Sequence, residues 1–187
     1  MIFTDESTFY LNQKGKKVWQ FPGKRKVFRS VKHPLKVNIW GCFSEKGFGK
    51  IICFQNNLTS DFMLKIYENS LLPSIDIYFD DDSIDWILQE DNDPKHRSNL
   101  IKKWKKENDI KVLPWPSMSP DQNPIENIWK LIKIKIAKKK IKILQGLKSE
   151  IQKEWNRLPS DLAEKLCQSM KNRIDTLIIA QGDYTMY

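Results

Sequence analysis

The sequence has few of the residues, and none of the apolar runs, that mark secreted or membrane proteins. Only three cysteines occur in 187 residues, Cys42, Cys53 and Cys167, without a CxxC pair or a Cys/His ligand spacing. This pattern excludes a disulfide framework and a zinc finger, and predicts reduced thiols in an intracellular protein. The longest apolar runs fall far short of the roughly 20 residues of a membrane span, so no membrane partner is expected. The N-terminus, MIFTDESTFY, has an acidic pair where a signal peptide would be apolar.

Acidic residues are absent from two long stretches of the chain. Residues 16–36 carry eight Lys or Arg and residues 127–149 carry eight lysines, while acids gather in segments such as DDDSIDW and LQEDND. The net charge of +9 favours a polyanionic partner. A general bias of the gene towards Ile and Lys would give the same total charge. The segregation of the two signs favours nucleic acid over mere solubility.

The residues that are present predict one α/β domain. An apolar fraction of 40% and seven tryptophans are enough for a core in a chain of this length. β-Rich segments come first, strands then alternate with helices, and helices over residues 124–140, 146–157 and 160–180 complete the chain. This order predicts a mixed sheet, antiparallel at one side and parallel through strands that end at Asp5 and Asp91. Ligands bind at the carboxyl ends of strands in such sheets.

Local patterns predict the individual elements. MIFTDES is a short strand on which TFYLN folds back, and LKVNIWGCFS with GKIICFQNN forms a hairpin. A helix follows from Thr59 or Ser60, and another begins at Pro94. IKVLPW is a short strand.

A proline-rich segment leads to one glutamate at a helix start. Residues 114–127, PWPSMSPDQNPIEN, hold four of the nine prolines. Asn123 suits an N-cap, Pro124 the first helical position, and Glu126 the third position after the cap, which together predict a capping box. The alternative is that the prolines fix the approach to the helix so that Glu126 serves as a rigidly held functional group.

Asp5, Asp91 and Glu126 also have ordinary structural explanations. A carboxylate at a strand end commonly caps the next turn. The 34 residues between Asp91 and Glu126 mean little in a chain with 23 acidic residues. A rival acidic cluster at residues 80–82 is more typical of a solvated turn.

The blocks around these three residues resemble the mariner/Tc superfamily of transposases. QEDNDPKHRS around Asp91 and PWPSMSPDQNPIENIW around Glu126 are similar to its signature blocks, where the second Asp and the Glu are also separated by 34 residues. FTDES around Asp5 is similar to the block that holds the first Asp. The resemblance continues in order through VWQFPGK, NIWGCFS, GFGKI and MKNRIDTLIIAQGDYTMY, over nearly the whole chain.

The resemblance implies a ribonuclease-H-like fold, a mixed sheet flanked by helices with further helices at the C-terminus. It also implies that Asp5, Asp91 and Glu126 hold two Mg²⁺ or Mn²⁺ ions, with Asp5 bridging them. Hard oxygen ligands suit these ions, and a pair about 3.5–4 Å apart promotes in-line displacement at phosphorus. The implied activity is DNA strand cleavage followed by strand transfer, as in transposition or integration.

Residues near the three carboxylates are expected to have supporting roles. His96 matches a histidine of the family block and is expected to contact substrate or a neighbouring carboxylate, unless it is an ordinary surface histidine. Asn92 and Asn127 are expected to orient the adjacent ligands. Trp115 and Trp129 either stack on DNA bases or pack in the core.

The basic stretch at residues 16–36 is expected to contact DNA phosphate through Lys24, Arg25, Lys26 and Arg29. In relatives the corresponding region can also reach a partner subunit, so a homodimer or a related transposase subunit is a second expected partner.

The resemblance is to the catalytic part of such a transposase. Full members carry helix-turn-helix modules before it, whereas Met1 here stands directly ahead of the first strand. Residues 1–187 are therefore expected to be a single catalytic domain without these modules, nuclear if the host is eukaryotic. Two other functions stay open: a catalytically silent remnant that binds DNA or protein, and a ribonuclease that acts on hybrids.

Overall fold

In the part of the chain that the structure describes, a four-stranded sheet has helices on both faces. The computed structural model describes residues 1–11, 34–79, 85–116, 119–183 and 185–186. The strands are β1 (Ile2–Tyr10), β2 (Lys36–Ser44), β3 (Gly47–Phe54) and β4 (Leu88–Gln89). The helices are α1 (Ser60–Ile66), α2 (Leu72–Tyr78), α3 (Asn99–Glu107), α4 (Ile125–Ala137), α5 (Leu144–Asn156) and α6 (Ser160–Ile179).

The sheet is mixed, with the strand order β3-β2-β1-β4. β1 and β3 pair antiparallel with β2, and β1 pairs parallel with β4, which confirms the predicted mixture and the β2–β3 hairpin. Gly47 begins β3 with a φ of 144°, a left-handed conformation that favours glycine.

The first strand is longer than predicted. β1 runs without a turn to Tyr10, so Asp5 lies in the middle of a strand and not at its end. The prediction that TFYLN folds back is wrong because Thr8 and Phe9 continue the ladder against Asn38 and Val37. Burial of Phe9 in the core stabilises this continuation.

Two other element boundaries differ from the predictions. The helix expected from Pro94 begins at Asn99, because the hydroxyl of Ser98 caps it by accepting the N–H of Ile101 at 3.3 Å. The segment IKVLPW forms only a single parallel bridge, between Leu88 and Val112. The helix after Thr59 is confirmed, and the Thr59 hydroxyl caps it. A π-helical turn, Tyr67–Leu71, joins α1 to α2.

The core has one layer on each face of the sheet. The layer under α4, α5 and α6 contains Phe3, Phe9, Ile128, Trp129 and Trp155, among others. The layer under α1, α2 and α3 contains Ile2, Trp40, Met63, Tyr67 and Trp104, among others.

The cysteines and the helices agree with the expectations of composition. All three cysteines are free thiols. None of the described helices combines the length and the hydropathy that a membrane crossing requires.

Candidate active site

A cavity of about 120 Å³ opens where β1, the segment after β4 and the start of α4 meet. The three carboxylates predicted from the sequence all line it. Its full lining is Asp5, Asp91, Trp115, Pro116, Ser119, Pro120, Asn123 and Glu126. Residues that are 86 and 35 positions apart in the sequence therefore line one small cavity.

Trp129 holds Asp5 in position, and Gly41 leaves room for the tryptophan ring. The indole N–H of Trp129 donates to Oδ2 of Asp5 at 3.0 Å. Gly41 lies opposite Asp5 in the β1–β2 ladder, and a Cβ at this position would lie 2.8 Å from Cη2 of Trp129. The absence of a side chain at Gly41 therefore lets the indole ring approach the strand and reach the carboxylate.

The surroundings of Asp5 and Glu126 disfavour their ionised forms. Burial raises the pKa of Asp5 well above its usual range, and the charges of Glu126 and Glu6 raise it further. Burial also raises the pKa of Glu126, although Lys133 opposes this. A cation in the cavity would relieve the cost of ionising both groups.

Glu126 is fixed through the residue that precedes the helix. The side-chain amide of Asn123 donates to the carbonyl of Thr4 at 3.3 Å, and its oxygen accepts the N–H of Ile125 at 3.4 Å. Glu126 makes no capping-box bond to Asn123 within the described residues, and the helix begins at Ile125 after Pro124. The loop is thus joined to β1 one residue before Asp5.

An arginine from α6 locks the same loop from the other side. Arg173 is only 2% exposed, and its guanidinium donates to the carbonyl of Asp121 at 2.6 Å and to Oδ1 of Asn127 at 2.7 Å. The hydroxyl of Thr185 donates to Oδ2 of Asp121 at 2.6 Å. Sequence reasoning missed Arg173, and the only signal for it was its place in the terminal block MKNRIDTLIIAQGDYTMY.

His96 is buried beside Asp91 and does not lie on the surface. Its Nε2 is 3.3 Å from Oδ1 of Asp91 and 3.4 Å from Oε1 of Glu6, while Nδ1 is 2.7 Å from the hydroxyl of Tyr67. Tyr67 donates in turn to Glu90 at 2.7 Å. Burial lowers the pKa of His96, but the surrounding carboxylates outweigh it and the pKa is raised above its ordinary value.

The remaining predicted residues have diverse surroundings. Asn92 donates to the carbonyl of Trp115 at 2.5 Å. Trp129 is fully buried and stacks on Trp155, with 5.3 Å between ring centroids, so it is a core residue. Trp115 lines the cavity. The predicted DNA contacts, Lys24, Arg25, Lys26 and Arg29, and the rival cluster at 80–82 lie outside the described residues.

The donor set suits a hard divalent cation. Asp5, Asp91 and Glu126 offer only carboxylate oxygens, the ligands that Mg²⁺ and Mn²⁺ prefer. In the described parts of the chain, no three His, Cys, Asp or Glu side chains are arranged closely enough to hold a metal ion. The chemistry of the cavity fits such an ion, and the side chains would have to move together to bind it.

Comparison with known proteins gives the chain a set of transposase relatives. It is 29% identical over 159 residues to the Tc1 transposase of Caenorhabditis elegans, covering 84% of this chain and 57% of that protein. It is 30% identical to the Tcb1 transposase of Caenorhabditis briggsae over the same shares. The Tc3 transposase of C. elegans is 30% identical over 200 residues, which cover all of this chain and 58% of that protein. The chain thus spans a little over half of each of these relatives.

Solved structures share the fold. The Mos1 mariner paired-end complex with Mn superposes with a TM-score of 0.86 and 16% identity, over 98% of this chain and 56% of that chain. The separate Mos1 catalytic domain gives a TM-score of 0.79 and 14% identity, over 98% of this chain and 83% of that one. The ribonuclease-H-like fold is therefore confirmed, and so is the resemblance to mariner/Tc transposases. Residues 1–148 match the family model described as DDE superfamily endonuclease, and the chain belongs to that family.

Proposed function

We propose that this chain is the catalytic domain of a DNA transposase, a metal-dependent endonuclease and strand transferase with Asp5, Asp91 and Glu126 as its catalytic residues. The observation that carries the proposal is the single cavity lined by all three carboxylates. Membership of the endonuclease family and the transposase relatives support the same activity.

The proposed cofactor is a pair of Mg²⁺ or Mn²⁺ ions held by the same three residues. The raised pKa values of Asp5 and Glu126 support this, because a cation would stabilise their ionised forms. Bound between the carboxylates, the ions would activate the attacking oxygen and stabilise the leaving oxygen during displacement at phosphorus. Mos1 paired-end complexes have been solved with Mn and with Mg.

The reaction has two displacements. In the first, a water oxygen bonds to phosphorus as the bond to the 3′ oxygen breaks, which leaves a 3′-hydroxyl and a 5′-phosphate. In the second, that 3′-hydroxyl attacks a target phosphodiester and displaces its 3′ oxygen, so one such bond forms as another breaks.

The chain's own contribution is to hold the carboxylates in place. Trp129 donates to one oxygen of Asp5, whose side chain lines the cavity. His96 contacts Asp91 at 3.3 Å, and Asn123 ties the loop of Glu126 to β1. Catalytic groups need positions fixed within a fraction of an ångström, which these buried contacts favour.

The decisive experiment compares two neighbouring aspartates. Purified protein is expected to nick plasmid DNA with Mn²⁺ or Mg²⁺ and to lose this with EDTA or with Asp91→Asn. Asp93→Asn is the matched control, because Asp93 lies outside the cavity and asparagine keeps the acceptor for the N–H of Lys95. Full activity in Asp91→Asn would refute the assignment of the site.

DNA binding, calorimetry with Mn²⁺ and cleavage of RNA–DNA hybrids separate the other candidate functions. A silent remnant would bind DNA without nicking it and would give no Mn²⁺ binding heat, and a ribonuclease would prefer RNA–DNA hybrids. The comparisons favour neither. DNA as the partner is supported by the Mos1 paired-end and strand-transfer complexes. A homodimer, a nuclear location, and a single catalytic domain over residues 1–187 remain predictions.

A further inference from the structure

Four polar side chains form a buried network beside Asp91. Each is at most 7% exposed: Tyr67 in the π-helical turn, Glu90 and His96 in the segment between β4 and α3, and Lys105 in α3. Burial of polar and charged groups is costly unless they are paired, and apolar residues of similar volume often stabilise a fold equally well. The position of this network directly beside Asp91 therefore indicates a role in the site.

The hydrogen bonds of the network have one consistent direction. Lys105 donates to Oε1 of Glu90, so this carboxylate is an acceptor. Tyr67 donates its single hydroxyl proton to Oε2 of Glu90 at 2.7 Å. The Tyr67 oxygen, 2.7 Å from Nδ1 of His96, must then accept a proton from that nitrogen. Nδ1 is thereby assigned as a donor, and Nε2 is the nitrogen that faces Asp91.

The bond from Nδ1 to Tyr67 decides between two orientations of the imidazole ring. A half-turn about χ2 exchanges Nδ1 with Cδ2 and Nε2 with Cε1, and both orientations occupy nearly the same space. In the observed orientation Nε2 lies 3.3 Å from Oδ1 of Asp91, whereas the rotated ring would present a carbon atom there. We propose that Tyr67 is a positioning residue whose hydroxyl holds His96 with Nε2 against Asp91. The proposal rests on the proposed function for the role of Asp91 as a metal ligand.

The contact with His96 is a substantial part of what restrains Asp91. The side chain of Asp91 is 51% exposed, and its Oδ1 accepts the N–H of Asp93 at 3.0 Å besides lying against His96. The network thus serves Asp91 as the indole of Trp129 serves Asp5.

Other contacts already fix the backbone and the plane of the His96 ring. Lys105 donates to the carbonyl of His96 at 3.4 Å. The ring of Tyr67 stacks on that of His96, with 6.3 Å between centroids and 18° between planes. Removal of the Tyr67 hydroxyl alone would leave these contacts in place. The choice between the two ring orientations is therefore the property that the hydroxyl controls.

NMR spectroscopy of the metal-free protein in EDTA tests the orientation. The chain has two histidines, His33 and His96, so the ¹⁵N-labelled imidazole signals are assigned from the set that disappears in His33→Gln. We expect Nδ1 of His96 to carry a proton that exchanges slowly with water, and Tyr67→Phe to abolish this signal. An unchanged signal in Tyr67→Phe, or no proton on Nδ1 in the unmodified protein, would overturn the proposal.

Tyr78→Phe is the matched control. It removes another buried hydroxyl, at the end of α2, that has no hydrogen-bond partner among the described residues. Both variants keep the aromatic ring, and thermal melts verify that both fold. Tyr78→Phe should leave the His96 signals and the nicking rate unchanged. Equal changes in Tyr78→Phe and Tyr67→Phe would show a general loosening of the core and contradict the proposal.

A double-variant cycle in the nicking assay tests the route from Tyr67 to Asp91. Groups that contact metal ligands typically contribute roughly 10- to 100-fold to activity, and Tyr67 is one contact further away. We therefore expect Tyr67→Phe to lower kcat roughly three- to tenfold with the KM for DNA nearly unchanged. His96→Gln should lower kcat at least as much, and adding Tyr67→Phe to it should cause no further loss. Losses that multiply in the double variant would show that Tyr67 acts independently of His96 and would overturn the proposal.

The two measurements separate this proposal from the proposed function. A protein that neither nicks DNA nor binds Mn²⁺, but loses the Nδ1 proton in Tyr67→Phe, would contradict the metal-dependent activity and support the positioning of His96. A protein that nicks DNA and keeps this proton in Tyr67→Phe would do the opposite.

Discussion

Gly41→Ala tests the link between the core and Asp5. The added Cβ would lie 2.8 Å from Cη2 of Trp129 and 3.0 Å from Cη2 of Trp155. Carbon atoms pack best at about 3.5–4.0 Å, so the rings must withdraw by roughly 0.5–1.2 Å. Both rings are buried and stacked on each other, and Trp155 also donates to the carbonyl of Gly49 at 2.9 Å. They have little room to withdraw.

The expected cost follows from these contacts. Overpacking a core costs about 1–3 kcal/mol, and the loss of glycine's freedom in the unfolded chain returns about 0.4–1 kcal/mol. We expect Gly41→Ala to lower the free energy of unfolding by about 1–2 kcal/mol, or Tm by roughly 2–8 °C for a chain of this size. DNA nicking should also fall at temperatures where the variant is still folded, because displacement of Trp129 weakens its hydrogen bond to Asp5.

Urea denaturation and the plasmid nicking assay measure the two effects. Adding Trp129→Phe to Gly41→Ala should recover part of the stability, since the smaller ring lacks the clashing atom, but nicking should stay low without the indole N–H. Gly146→Ala is the control. Gly146 lies in α5, and an added Cβ would lie 3.4 Å and 3.5 Å from its nearest atoms, which is ordinary packing contact. This change should preserve or raise stability. Unchanged Tm and unchanged nicking in Gly41→Ala would refute the reasoning.

Three further predictions concern the loop, its acid sensitivity and the metal. Arg173→Ala should lower the free energy of unfolding, measured by urea denaturation, by about 2–4 kcal/mol and should reduce nicking. Arg173→Lys should restore neither, because lysine lacks the forked guanidinium that reaches both Asp121 and Asn127. Full stability and nicking in Arg173→Lys would contradict this role of Arg173. Burial acts to raise the pKa of Asp121, but hydrogen bonds from Thr185 and Gln122 hold it below its ordinary value. The contribution of Asp121 to stability is therefore present above the unfolded pKa of about 3.9 and lost as pH falls through the lower folded pKa. Asp121→Asn should make the fall of Tm at acid pH less steep. An unchanged Tm–pH curve would show that the hydrogen bond to Thr185 does not form in solution. Mn²⁺ at about 100 times its Kd should raise the free energy of unfolding by about 2.7 kcal/mol, and Asp5→Asn should remove this gain; an equal gain in the variant would place the metal elsewhere.

Periodicity and turn signals were enough to predict the β2–β3 hairpin and the three C-terminal helices. Each is determined by local patterns of apolar and turn residues. The element errors had different causes. β1 passes Asp5 because Phe9 gains burial against distant helices, a tertiary contact that overrides the local turn signal. α3 begins at Asn99 because the Ser98 hydroxyl, a local cap, outweighs the helix-favouring Pro94. IKVLPW forms only a single bridge.

Part of the candidate site could likewise be predicted from the sequence, and part could not. The blocks around Asp5, Asp91 and Glu126 could be identified from the sequence, since each is a short, distinctive string. The contacts that hold them could not, because a pairing such as Gly41 with Trp129, or Arg173 with Asn127, joins residues whose separation in sequence carries no signal. Only the folded chain brings these residues together.

The lock formed by Arg173 has a consequence for synthesis of the protein. Asp5, Asp91 and Glu126 all leave the ribosome well before α6, since Arg173 follows Glu126 by 47 residues. The N-terminal part of a chain emerges first, so the sheet can form while the glutamate loop has its contact with β1 through Asn123 but lacks its second anchor, Arg173. The loop that carries Glu126 therefore gains its contacts with Arg173 only when α6 docks.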